Sequence, residues 1–274
     1  MVQQLLRVFQ VDAFTREAFK GNPAAVILTE IPLESKQMVK ISAEINLSET
    51  AFLVPSRGGN YLLRWFTPIN EVRLCGHATL AAAHILYTEY GCKGNLLSFD
   101  TSSGNLTVKK LSIGTYLMDF PADFSRKARL DFNLLQSIKD YIPQALEIMH
   151  GKEDLLVILK DEKQILDFES DHQFIKKLPF RGLIISAPAS DGDIDFCSRC
   201  FYPALGVNED PVTGSAHTLL TTYWALKLRK NRLRALQLSS RIGEIECIWK
   251  GSRVGLIGDA VTVMLGNMFI YHDK

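Results

Sequence analysis

Short apolar-rich runs bounded by turn residues dominate the hydropathy pattern and predict strands at 5–11, 24–28, 50–54, 61–66, 96–100 and 115–120. The second half adds strands at 155–159, 182–186, 194–202, 254–257 and 260–265. Helical spacing is rarer. Residues 35–46 place Met38, Ile41 and Ile45 on one face, and Asn46 suits the C-terminus because Asn tolerates the left-handed conformation. Weaker helical patterns cover 131–141 and 171–178. Two further helices, 77–86 and 215–226, contain no Asp, Glu, Lys or Arg at all. A helix without charge on any face is a buried helix. In a strand-rich chain the natural place for each is inside a curled sheet.

The two uncharged helices belong to an internal repeat. Arg64-Trp65-Phe66-Thr67-Pro68 precedes Gly76-His77-Ala78, and Arg199-Cys200-Phe201-Tyr202-Pro203 precedes Gly214-Ser215-Ala216. A glycine-containing stretch follows each helix, at Ser103-Gly104-Asn105 and at Ile242-Gly243-Glu244. The expected fold class is therefore α+β, with two pseudo-symmetric domains, each a strand barrel around a central buried helix. It is not the alternating pattern of a doubly wound sheet. The division expected is 1–122 and 123–274, with the last strand free to pair with the N-terminal half.

Composition narrows the class of protein. The chain has 274 residues, 47% of them apolar, so it can bury a substantial core and is not disordered. Lys and Arg number 31 against 30 Asp and Glu, and a near-neutral chain without a basic block argues against a nucleic-acid partner. No apolar run is long enough for a membrane span, and no secretory leader is visible, which predicts a soluble, cytoplasmic protein. Five scattered cysteines do not make a disulfide framework. Cys197 and Cys200 form a CxxC, but it lies in a predicted strand, where residues three apart point to opposite faces.

Candidate chemistry collects at the helix starts. Each buried helix opens with glycine beside a polar residue, Gly76-His77 and Gly214-Ser215. A helix N-terminus offers unpaired N–H groups and partial positive charge, and glycine lets a ligand approach the backbone. Two such ends facing one another would make a carboxylate or phosphate site; glycine relieving crowding at a turn is the plainer alternative. Glu49 shares an extended face with Leu47, Ala51 and Leu53. Burial there disfavours the charged form and suits a general acid/base, whereas a strand-end glutamate reaching solvent has no such role. Asp210 lies four residues ahead of Gly214, as a further acid or as an ordinary Asp-Pro turn residue. His77 is either part of this chemistry or a satisfied histidine at a helix start. His84 and His217 read as packing or hydrogen-bonding residues.

Several motifs resemble the phenazine biosynthesis PhzF-like family. They are Val11-Asp12-Ala13-Phe14-Thr15, Gly21-Asn22-Pro23-Ala24-Ala25-Val26, Asn46-Leu47-Ser48-Glu49-Thr50, Arg64-Trp65-Phe66-Thr67-Pro68, Leu74-Cys75-Gly76-His77-Ala78-Thr79 and Glu209-Asp210-Pro211-Val212-Thr213-Gly214-Ser215-Ala216-His217. The resemblance spans nearly the whole chain and implies the diaminopimelate epimerase-like fold. It implies an isomerase without cofactor or metal, acting on a small carboxylated substrate; the characterised phenazine enzyme isomerises trans-2,3-dihydro-3-hydroxyanthranilate. On that resemblance Glu49 is the acid/base, His77 and Asp210 assist proton transfer, and Gly76, Gly214 and Ser215 bind substrate in an interdomain cleft. A homodimer is expected by the same analogy. Epimerases of the wider superfamily use one cysteine per half. Cys75 stands at the first of these positions, but Thr213 stands at the second and has no thiolate to offer. An amino-acid epimerase is therefore disfavoured. A non-catalytic ligand-binding protein is the alternative from another class, and the intact acid/base set speaks against it.

Overall fold

The computed structural model describes residues 2–127 and 130–272. They form two compact units, one of residues 1–119 with 257–274 and one of residues 120–256. The first unit contains β1 (Val2–Ala13), β2 (Asn22–Leu28), α1 (Ser35–Ile45), β3 (Glu49–Pro55), β4 (Tyr61–Phe66), β5 (Glu71–Val72), α2 (Gly76–Thr88), β6 (Leu96–Thr101), β7 (Gly104–Ser112) and β8 (Thr115–Pro121). The second contains β9 (Arg126–Lys127), α3 (Phe132–Tyr141), β10 (Glu147–His150), β11 (Leu155–Ile158), α4 (Glu162–Leu166), α5 (His172–Lys177), β12 (Leu183–Pro188), β13 (Phe196–Tyr202), β14 (Val207–Asp210), α6 (Gly214–Leu228), β15 (Arg232–Gln237) and β16 (Gly243–Lys250). A final strand, β17 (Arg253–His272), runs on into the first unit.

Eight strands of the first unit close on themselves in the order β1-β2-β3-β4-β6-β7-β8-β17, with β17 returning to β1. The helix α2 sits within, every residue from His77 to Leu86 buried, packed on β1, β2 and β3. That is the environment its lack of charge demands. The helix α1 covers the outer face instead. Met38 and Ile41 pack on Ala25, Ile27, Phe52 and Phe66, while Asn46 ends the helix with φ 55°.

In the second unit the pairing runs β9-β10-β11-β12-β13-β15-β16, with β14 on the side of β13. One helix, α6, is buried from Ala216 to Ala225 and packs on β15 and β16. Ile138, Ile165 and Ile175, from α3, α4 and α5, join a separate core with Leu155, Leu183, Ile185 and Cys197. Asp131, Asp161 and Asp171 cap these three helices through their carboxylates. Cys197 and Cys200 lie within β13, and all five cysteines are free.

The sequence pattern separated 254–257 from 260–265, but β17 is one strand of 20 residues. Gly258 and Asp259 pass through without a turn because they are tied to β1. A Cβ at Gly258 would collide with the Phe14 ring, and the Asp259 carbonyl accepts from the Phe14 N–H at 2.7 Å. Residues 257–274 consequently group with the first unit rather than with the 123–274 half.

Candidate active site

In the first unit the site is assembled where β3 starts and α2 starts. Cys75 is the N-cap of α2 in an extended conformation and makes no capping bond through its side chain, so the first-turn N–H groups are left for a ligand. His77 follows Gly76 with only 7% of its side chain exposed. Its Nε2 lies 3.1 Å from Glu49 Oε2, its Nδ1 lies 3.2 Å from Asn22 Nδ2, and Cys75 Sγ is 3.5 Å from Nδ1. Glu49 retains 18% side-chain exposure and is the most accessible of the three. Asn22 is brought to the ring by the turn before β2. There Asp12 accepts the Phe19 N–H at 2.6 Å, and Gly21 takes φ 64°, where a Cβ would run into the Ala13 carbonyl oxygen.

The electrostatics favour a proton on His77. Burial opposes the imidazolium, but Cys75 and Glu49 outweigh it and raise the ring well above its ordinary value. Burial and the Glu49 charge push the Cys75 thiol up, so near neutrality it is protonated and Glu49 sustains the effect. With the Asn22 amide nitrogen at Nδ1, the ring accepts there and keeps its proton on Nε2 toward Glu49. Turning that amide presents its oxygen and supports the doubly protonated ring instead. Glu49, Cys75 and His77 also place an oxygen, a sulfur and a nitrogen within 4.8 Å of one another, the donor types of a zinc site. A metal there would have to displace the Cys75 proton against the effect of burial.

The second unit gathers Asp210, Gly214 and Ser215 at the start of α6. Thr213 is the N-cap without a capping bond; its hydroxyl donates instead to Asp210 Oδ2 at 2.5 Å. Fully buried Gln237 accepts the Thr213 N–H at 2.8 Å and donates to the Asp210 carbonyl at 2.6 Å, pinning the loop. His217 Nδ1 donates to the Thr213 carbonyl at 2.8 Å; burial lowers its pKa to about 4, so it is a neutral donor. Ser215 Oγ accepts from Arg181 Nη2 at 3.1 Å, and Arg181 in turn grips Asp154.

The repeat is visible at the level of contacts. Arg64 holds Glu71 by two bonds of 2.7 Å, and Arg199 holds Glu209 by bonds of 2.7 and 2.9 Å. Each glutamate stands five residues before the helix glycine, so each entry loop is clamped by the same fork. Pairing register extends the correspondence: Phe66 faces Thr50, and Phe201 faces Leu183. Glu49 therefore corresponds to Gly182. A Cβ at 182 would strike the Tyr202 ring and the Phe201 carbonyl oxygen, so this position has no room for a carboxylate.

Of the residues expected from sequence, Glu49, Gly76 and His77 come together in the first unit, and Asp210, Gly214 and Ser215 come together in the second. His84 is a hydrogen-bonding residue, 3.1 Å from the Tyr116 hydroxyl and 3.0 Å from that of Thr262. Asn22, Arg181, Asp154 and Gln237 were not singled out. Asn22 sat inside a quoted motif, Gly21-Asn22-Pro23, but nothing along the chain ties Arg181, Asp154 or Gln237 to α6.

The family described as phenazine biosynthesis-like protein matches residues 11–266. A Pseudomonas aeruginosa protein called an uncharacterized isomerase is 43% identical over 97% of this chain and 99% of its own. The crystal structure of a PhzF family phenazine biosynthesis protein from Enterococcus faecalis superposes with a TM-score of 0.91 at 39% identity, covering 97% of this chain and 100% of that one. A predicted epimerase from Pseudomonas aeruginosa, 17% identical, shares the fold with a TM-score of 0.76 over 96% of this chain and 99% of its own.

Proposed function

The chain belongs to the phenazine biosynthesis-like (PhzF) family, an isomerase family with the diaminopimelate epimerase-like fold, and from that premise we propose that it moves a proton on a small carboxylated metabolite by cofactor-independent general acid/base catalysis, with Glu49 as the shuttle. The observation that carries this reading is the Glu49–His77 contact of 3.1 Å, made by a partly exposed carboxylate and a buried ring at the open end of α2. Glu49 takes a proton from a carbon adjoining a conjugated system. The electron pair left behind delocalises, the Glu49 carboxyl, 18% exposed, exchanges its proton with solvent, and Glu49 delivers a proton to a second carbon, so the bonds shift with no net redox change. His77 stabilises the Glu49 carboxylate before the first transfer and after the second, and Cys75 stays a thiol. Asp210 assists proton transfer, while Gly76, Gly214 and Ser215 bind the substrate. Two-thiol epimerisation is disfavoured because Thr213 and Gly182 leave the second unit without a thiol or a carboxylate at the positions corresponding to Cys75 and Glu49.

The test is a screen of cyclic and amino carboxylates in D₂O, including trans-2,3-dihydro-3-hydroxyanthranilate, scored for solvent deuterium in the product. The wild type is expected to incorporate it with or without EDTA, and Glu49→Gln to be slower by ~10² to 10⁴. Full turnover by Glu49→Gln removes Glu49 from the mechanism. Loss of exchange with EDTA and its return with zinc would transfer the role to a metal. Binding without exchange across the panel would favour a ligand-binding protein.

A further inference from the structure

Glu49, Cys75 and His77 bring a carboxylate oxygen, a thiol sulfur and an imidazole nitrogen together from the starts of β3 and α2, each donor within 4.8 Å of the others. Among the described residues no other group of three such side chains gathers this closely. A tetrahedral zinc ion, with bonds of about 2.0 to 2.3 Å, sets its ligand atoms about 3.3 to 3.6 Å apart. His77 Nε2 lies 3.1 Å from Glu49 Oε2 and 3.9 Å from Cys75 Sγ, on either side of that spacing. Small side-chain rotations therefore close the three donors on one ion. The 18% exposure of Glu49 leaves a way in for the ion and for a water as fourth ligand. The repeat supplies a contrast. The positions corresponding to Glu49, Cys75 and His77 in the second unit are Gly182, Thr213 and Ser215, which offer no carboxylate, thiol or imidazole.

The surroundings suit a ligand set as well as a proton site. A metal on Nε2 leaves a proton on Nδ1 that needs an acceptor, and the fully buried Asn22 amide sits 3.2 Å from Nδ1. Turned so that its oxygen faces the ring, that amide is the acceptor. Burial and the Glu49 charge hold Cys75 as a thiol and so oppose a bare thiolate. They do not oppose a coordinated one. With a carboxylate at Glu49, an imidazolium at His77 and a thiol at Cys75, the cluster carries no net charge. A dication held by one carboxylate, one thiolate and a neutral ring carries none either. Exchanging two protons for the ion therefore buries no extra charge.

We propose that Glu49, Cys75 and His77 form an inhibitory binding site for zinc or a similarly thiophilic divalent cation. On binding, the S–H bond of Cys75 and one N–H bond of His77 break and both protons pass to solvent. Bonds to the ion form at Sγ, Nε2 and a Glu49 oxygen, with no change of oxidation state. The thiolate selects zinc over magnesium and calcium, which demand oxygen ligands. Held in this way Glu49 is out of acid/base service, so the protein works without metal and zinc silences it. The binding site goes beyond the proposed function; only its inhibitory effect rests on Glu49 being the proton shuttle.

The probe is Co²⁺, a coloured stand-in for zinc, titrated into the untagged full chain without substrate. The expected spectrum has a near-ultraviolet thiolate-to-cobalt band and the strong visible bands of a four-coordinate ion. It should saturate at about one ion per chain and be bleached by zinc but not by magnesium. Cys75→Ser should lose the near-ultraviolet band. Glu49→Gln and His77→Gln should each weaken the ion by more than ~100-fold, beyond what loss of an outer-shell partner causes, and Asn22→Ala by ~10- to 100-fold. Matching far-ultraviolet spectra and melts confirm that the variants are folded. Zinc calorimetry in buffers of different protonation enthalpy should show about two protons released per ion at neutral pH. With an exchanging substrate from the D₂O screen, stoichiometric zinc should abolish exchange and EDTA should restore it. A cobalt spectrum unchanged in Cys75→Ser, zinc binding without proton release, or full exchange by the zinc-loaded protein would each overturn the proposal. Exchange that requires zinc would overturn it too, by making the ion a cofactor. The cobalt titration needs no substrate, so the two readings fail separately. Deuterium exchange by a protein that never binds cobalt defeats this one, whereas a Cys75-dependent cobalt site in a protein without exchange defeats the proton-transfer reading and leaves the binding site standing.

Discussion

Glu49, His77 and Cys75 illustrate how one buried ring can settle the charge of its neighbours. The imidazole is favoured as a cation by the carboxylate 3.1 Å away, and the thiol is kept protonated by burial. This has a consequence for stability. A histidine raised above its unfolded value of about 6.5 contributes stability that is fully present below that pH and is lost as the pH climbs through the folded value. Urea midpoints of the wild type and His77→Gln should therefore differ by a constant amount below about pH 6.5, on the order of 1.5–3 kcal/mol for a hydrogen bond to a charged partner. The difference should shrink at alkaline pH. A gap that widens as the pH rises would mean that His77 is neutral in the folded protein.

Elements were far more legible in the sequence than contacts were. The two uncharged helices announced their own burial, and the Arg-x-Phe motif marked the repeat because each copy puts its arginine on a loop glutamate and over the phenylalanine two residues on. The helices at 131–141 and 171–178 left only weaker patterns, and Asn46 as a helix end followed from a local rule. Arg181 did not, since its partners lie 27 and 34 positions away and no periodicity links a strand start to a distant helix start. Strands of two residues, β5 and β9, are too short to leave a pattern. Gly182 is only the first residue of the strand predicted at 182–186, yet the Tyr202 ring packed against it leaves no room for a Cβ. Gly182→Ala should cost about 1–3 kcal/mol through overpacking and displace the neighbouring Arg181. Thermal melts report the cost, and hydrogen exchange around β12 reports the displacement. A Gly182→Ala protein as stable as the wild type would show that the Tyr202 side chain has room to move.

At the scale of the whole chain, the repeat is one of topology and not of chemistry. Each unit wraps strands on a buried helix, yet the residue after the helix glycine meets the Glu49 carboxylate in the first and the Arg181 guanidinium in the second. The units also differ in how they end. The first unit's ring needs β17, which is supplied by the far end of the chain and pairs with β1 from Val2–His272 to Ala13–Ala260. Twelve strand residues of β1 would be left as an open edge without it, and Phe14 would lose the Asp259 and Gly258 backbone that seats it. A chain ending at Leu256 is thus expected to lose the first unit's fold. The second unit keeps its own pairings from β9 to β16 and its separate core in such a chain. Hydrogen exchange followed by mass spectrometry distinguishes the cases: fast exchange throughout β1 to β7 with protection retained in α6 and β11 to β13 is the expected pattern. Protection of β1 and β2 equal to that of the full chain would show that the ring closes without its last strand, and that the two ends of the sequence are not needed together for the Glu49–His77 contact.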